Sequence, residues 1–185
     1  NLVMPVLPEQ LPEPGRAHER QDSAPPDAVI RAEVEQLRRV HAGVHFCLEL
    51  TCPQIYMQMH DLWLRRLLRH LVKNAIRANA ALSTPLTLRI GTQQQAGMIE
   101  IWVLDNGCGV RPEIVHLLFN RQIPSPNARR DERFGRGLLL VRHIVELHGG
   151  QVWLKTNQPG ESVCFAFRIP QTQAVGPDFS RVVLT

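Results

Sequence analysis

The run IEIWVLDNGCGV at 99–110 limits the possible folds more than any other part of the chain. Ile99, Ile101 and Val103 recur at the two-residue period of a strand with one buried face. Asp105 continues that parity, so its carboxylate is expected on the buried side. Gly107 and Gly109 follow at once, which allows a sharp turn and close approach by another group. An inward carboxylate needs a polar partner, because burying it unpaired costs several kcal/mol. A ligand is one candidate for that partner.

The 185 residues suffice for one domain with a sizeable core plus tails. No apolar run approaches the roughly 18 residues of a membrane span, and no signal-peptide pattern opens the chain. Beginning at Asn1, the sequence reads as a fragment. Four cysteines, Cys47, Cys52, Cys108 and Cys164, form no CxxC unit, which suits a reduced, cytosolic compartment. His45, Cys47, Cys52 and His60 match no common zinc spacing. The net charge of +4 admits nucleic acid, but the basic residues are scattered and aromatics make up only 5% of the chain, so no nucleic-acid partner is expected.

Residues 1–27 hold six of the fourteen prolines and read as an extended linker. Two arginines against five acidic residues put −3 on this segment, which leaves +7 on the remainder. The folded part is therefore the basic part. Ile30, Val34 and Leu37 at helical spacing predict an amphipathic helix over 28–40, with Glu33 and Glu35 off its apolar stripe. Strict alternation predicts a strand over 43–50.

A longer helix is expected over 61–80, with Asp61 as its N-cap and Leu64, Leu67, Leu68, Leu71, Ala75 and Ala78 as its stripe. His70, Asn74 and Arg77 project beside that stripe, so a polar cluster lies next to apolar packing. A strand over 86–92, a polar turn over 93–97 and the strand at 99–104 form a hairpin. A short helix follows over 112–118, then an aperiodic stretch at 120–134, long enough to act as a lid.

Gly135, Arg136 and Gly137 open a helix to His148, with Leu140, Val141, Ile144, Leu147 and His148 inward, and Gly149 and Gly150 stop it. Strands over 151–156 and 162–169 and a tail over 171–185 complete the chain. One apolar face per element gives an α/β (α+β) two-layer sandwich, with helices on one face of a mixed, mostly antiparallel sheet. The folded domain is expected over 28–170.

A lone DxGxG is more often a turn than a site, and neither the P-loop nor a complete GxGxxG is present. Five motifs in order carry more weight. HLVKNAIRA (70–78), LDNGCGV (104–110), HLLFN (116–120), FGRGLLLVRHIVELHGG (134–150) and PGESVCFAFRIP (159–170) together resemble the ATP-binding catalytic domain of sensor histidine kinases. These belong to the superfamily that also holds gyrase, MutL and mitochondrial-type protein kinases, and the resemblance implies a Bergerat-type ATP-binding fold.

On that resemblance, Asp105 would accept the amino hydrogen of adenine, where guanine presents a carbonyl. Asn74 would give its oxygen to Mg²⁺, and Arg77 would neutralise phosphate charge. Gly107, Gly109, Val110, Ala78 and Ser162 would shape the adenine pocket. Gly135, Arg136, Gly137 and Leu138 would offer N–H groups to phosphates at a helix start, and Phe119 would anchor the lid.

The implied reaction is transfer of the γ-phosphoryl of ATP to a histidine on a separate dimerisation domain of the parent protein, with a response regulator downstream. The domain itself is expected to be cytoplasmic, without membrane contact. Three positions depart from the family pattern: His70 stands where a Glu or Asn is usual, Leu139 replaces a third glycine, and Arg136 replaces a small residue. His70 remains a candidate catalytic base. These departures motivate an alternative, a degenerate nucleotide-binding or interaction module without phosphotransfer.

Overall fold

Apolar alternation builds a five-stranded sheet in the computed structural model, which describes residues 24–80, 83–120 and 137–172. The strands are β1 (Val44–Glu49), β2 (Leu86–Gln95), β3 (Met98–Asp105), β4 (Gln151–Gln158) and β5 (Ser162–Pro170), in the spatial order β1-β2-β3-β5-β4. β1 and β2 run parallel, and the other neighbouring pairs are antiparallel. Parallel strands cannot be joined by a tight hairpin, and here the long helix α2 (Asp61–Ala78) makes the crossover. The remaining helices are α1 (Pro26–Val40), α3 (Pro112–Val115) and α4 (Gly137–Leu147).

Ile99, Ile101 and Val103 of β3 are buried in one core with Leu64, Leu67 and Leu71 of α2 and with Val141 and Ile144 of α4. The opposite sheet face carries half-buried Trp102, which leaves no space for a side chain at Gly91. The architecture is thus the expected two-layer sandwich.

Several boundaries and faces differ from expectation, each for a local reason. α1 begins at Pro26, and Asp27 belongs to the fold: its carboxylate accepts from Cys52 N at 2.7 Å and from Thr92 Oγ1 at 2.6 Å. Glu33, expected off the apolar stripe, is only 1% exposed, because Arg69 and Arg65 of α2 donate to it at 2.5, 3.1 and 3.3 Å. Paired in this way, the carboxylate can enter the seam between the two helices.

His60, not Asp61, caps α2: its Nδ1 accepts from Leu62 N, while Asp61 accepts from Ala24 N. Ala78 is exposed and Val72 takes the buried place. On α4, Val145 is buried and Leu147 points outward.

The glutamines at 93–95 extend β2, because Ala96 (φ 50°) and Gly97 (φ 75°) turn the hairpin in two residues of positive φ. A Schellman pattern ends α4, with Gly149 N donating to Glu146 O and Gly150 N to Val145 O. Residues 1–23 of the linker expected over 1–27, most of the lid, Gly135, Arg136 and residues 173–185 of the tail expected over 171–185 lie outside the described residues.

Candidate functional site

Asp105 ends β3 on the helix-facing side and is 3% exposed, as its parity requires. Its Oδ1 accepts from Gly107 N at 3.0 Å, an Asx turn, and from Asn79 Nδ2 at 3.1 Å. Burial pushes the carboxyl above the usual carboxylate range, and the two hydrogen bonds oppose that push. Oδ2 takes no bond from the described residues, and no buried side-chain oxygen or nitrogen among them lacks a partner. Among the described residues Oδ2 is thus the Asp105 acceptor left for a donor from outside the fold.

The glycine turn is clamped from two sides. From α2, the C-cap Asn79 accepts from Cys108 N at 2.9 Å, and a Cβ on Gly107 would fall 1.8 Å from its Oδ1. From the β4–β5 hairpin, Asn157 accepts from Val110 N and donates to Val110 O, both at 2.8 Å, while Gly160 N donates to Cys108 O at 2.8 Å. Gly109 holds φ +66°, and a Cβ there would meet Gln158 O at 2.9 Å. Both glycines are thus required by close approach, and Val110 packs against the core.

Asn79 and Asn157 were not among the expected site residues. The signal for Asn79 was its place just after the predicted apolar stripe, where a helix must end and its last groups need partners. Ser162 is a correction. Residues opposite in an antiparallel pair share a face, and Val163 is the one opposite Asp105. Ser162, one residue away, turns to the other face and donates to Gln158 Oε1 at 2.8 Å.

The second half of the site lies between two helices. α2 and α4 run antiparallel: Trp63 meets His148 edge-on at 6.0 Å, and at the other end a Cβ on Gly137 would be 4.0 Å from His70 Nδ1. The start of α4, whose first N–H groups have no partner within the helix, therefore lies beside His70, and Asn74 follows one turn further along α2. His70 is held below the usual histidine range, first by burial and then by the cations Arg66, Lys73 and Arg77.

The result is a neutral imidazole in a positive surrounding, which suits a polyanion at the helix start. Asn74 is half-buried, Arg77 and Ala78 are exposed, and Leu138 is buried. Phe119 packs edge-on against Phe165 at 6.1 Å, and Arg142 of α4 donates to Asn120, where the described part of the lid ends. Gly135 and Arg136 cannot be placed among the described residues. No helix described is long and apolar enough to cross a membrane.

Residues 59–173 match the family described as histidine kinase-, DNA gyrase B- and HSP90-like ATPase. The adaptive-response sensory kinase SasA of Parasynechococcus marenigrum (strain WH8102) is 32% identical over 173 residues, covering 90% of this chain and 43% of its own length. The sensor protein kinase PmrB of Pseudomonas aeruginosa is 34% identical over 143 residues, covering 72% of this chain and 29% of its own. The chain therefore spans less than half the length of these curated relatives. A solved structure of the mycobacterial sensor histidine kinase MprB has the same fold, with a TM-score of 0.65 at 23% identity, covering 80% of this chain and 97% of that one.

Proposed function

Because this chain belongs to the family of histidine kinase-, DNA gyrase B- and HSP90-like ATPases, we propose that it is the ATP-binding catalytic domain of a two-component sensor histidine kinase. It binds Mg-ATP and passes the γ-phosphoryl to a histidine on a separate dimerisation domain of its parent, in the cytoplasm, with a response regulator downstream. The observation that carries this reading is Asp105, a buried carboxylate with one oxygen tied down and the other left for a donor. An adenine 6-amino group is such a donor, and a guanine carbonyl at the same place would be repelled.

The residues present fit Mg²⁺. Asn74, half-buried on α2 one turn beyond His70, offers a hard amide oxygen. Asn74 would hold the ion through that oxygen, a ligand atom of the kind Mg²⁺ takes. When bound, it supplies charge neutralisation at the phosphates.

The chain itself does the rest. Arg77 adds positive charge at the phosphate end, and the N–H groups that open α4 hold phosphate oxygens. Gly107, Gly109, Val110 and Ala78 bound the base. In-line transfer forms a P–N bond to the acceptor imidazole as the bond to the leaving ADP oxygen breaks, with positioning and electrostatics supplying most of the rate. His70, kept neutral, is available to take the proton released by the acceptor nitrogen.

Calorimetric titration of the 185-residue chain with ATP and magnesium tests the proposal. Binding is expected, lost in Asp105→Asn and weakened in Asn74→Ala only when magnesium is present. Absence of binding at millimolar nucleotide, or a parent protein that is not phosphorylated on histidine, would overturn it.

A further inference from the structure

We infer that Asn79 is a positioning residue for base recognition: by holding Asp105 Oδ1 and the amide of Cys108 together, it makes Asp105 Oδ2 the single, fixed acceptor that separates adenine from a 6-oxopurine. The inference rests on the ATP-binding reading above. Asn79 is 7% exposed, and each polar group of its side chain is engaged. Nδ2 donates to Ala75 O at 2.9 Å and to Asp105 Oδ1 at 3.1 Å, and Oδ1 accepts from Cys108 N at 2.9 Å. Its own backbone N–H closes α2 on Ala75 O at 3.1 Å. The amide therefore has one orientation, and Gly107, which has no room for a Cβ, is pressed against it.

Two donors on Oδ1, from Asn79 and Gly107, fix the plane of the Asp105 carboxylate. Rotation about its terminal torsion would break at least one of them. Without the Asn79 donor the carboxylate can turn, and it also loses one of the two hydrogen bonds that resist the effect of burial on its proton affinity. A carboxylate that turns away loses the 6-amino donor, and a carboxyl that holds a proton can donate to a 6-carbonyl. Discrimination between the two groups therefore depends on Asn79 as well as on Asp105.

The test compares dissociation constants for ATP and for inosine 5′-triphosphate, which carries a carbonyl in place of the amino group, on the 185-residue chain and its variants. In Asn79→Ala the ATP preference is expected to fall about tenfold, the scale of one orienting hydrogen bond to a charged group, through weaker ATP binding with little change for the inosine nucleotide. Asn79→Leu keeps the branched side-chain shape but lacks the donor, and it adds no second carboxylate beside Asp105. It serves as the second variant should the alanine form not fold, with the same expected fall.

A merely structural role would weaken both nucleotides equally, and an unchanged preference in a folded variant overturns the inference. Asp105→Asn separates the two levels. If that change leaves ATP bound in preference to the inosine nucleotide, base reading by Asp105 itself fails; if ATP binding or the preference is lost there while the Asn79 variants keep the preference, only the role of Asn79 fails.

Discussion

The seam between α1 and α2 yields a prediction with an asymmetry. Glu33 is 1% exposed, while its partners Arg65 and Arg69 keep 25% and 49% of their side-chain surface in water. Removing the carboxylate, as in Glu33→Met, leaves two cations that can swing into solvent. It forfeits three charge-assisted hydrogen bonds whose net worth is reduced by that exposure, and methionine recovers apolar burial in the seam.

The expected cost is about 1–2 kcal/mol. Removing both cations, as in the double variant Arg65→Met and Arg69→Met, leaves a buried carboxylate with no partner, and the expected cost is about 3–5 kcal/mol. That is a large share of the roughly 5–15 kcal/mol available to a domain. Urea unfolding of the 185-residue chain, extrapolated to water at one pH, measures both. Equal costs, or a cheaper loss of the arginines, would refute the reasoning, because burial of the shared partner would then not govern the pair.

Two further outcomes concern pH. The Asp105 carboxyl titrates above its ordinary 3.8 in the folded chain, so stability associated with its protonated form is present below 3.8 and lost as pH rises through the raised value. Asp105→Asn should therefore raise the melting temperature of the nucleotide-free chain at neutral pH while binding is lost, and the gain should shrink on acidification toward 3.8; a destabilised variant at neutral pH would contradict this. His70 is shifted the other way, so its contribution is present above 6.5 and lost as pH falls through the lowered value. His70→Gln should flatten the acid loss of stability measured by denaturant unfolding, leaving the part due to His148, which burial also lowers; an unchanged slope would refute the environment assigned to His70.

The legible parts of this chain are those where a period dictates direction. Alternation through Ile99, Ile101 and Val103 is enough to place Asp105 inward, because a strand offers only two faces. The helical period likewise put His70 and Asn74 beside the core stripe of α2. What escaped depends on single-residue offsets or on partners distant in sequence.

Ser162 and Val163 are adjacent, and only the pairing of β5 with β3 decides which of them faces Asp105. Glu33 looks like a solvated residue until Arg69, 36 positions later, is brought against it. Asn79 looks like a helix end, and it is one, but its second role exists only because the Asp105 turn folds back over the end of α2. Sheet order is a similar case, since no local pattern states that β5 inserts between β3 and β4.

The amides of the glycine turn set how base preference can change. In a glycine loop that grips phosphate, the N–H groups face the ligand. Here Gly107 N, Cys108 N and Val110 N each donate to a side chain of the protein itself. On the proposed ATP-binding reading, the turn supplies clearance and shape, and the choice of base falls to one carboxylate oxygen. Base preference is therefore a separable trait: exchange of one side chain at 105 can alter it while the wall of the pocket stands, whereas the wall admits no side chain at 107.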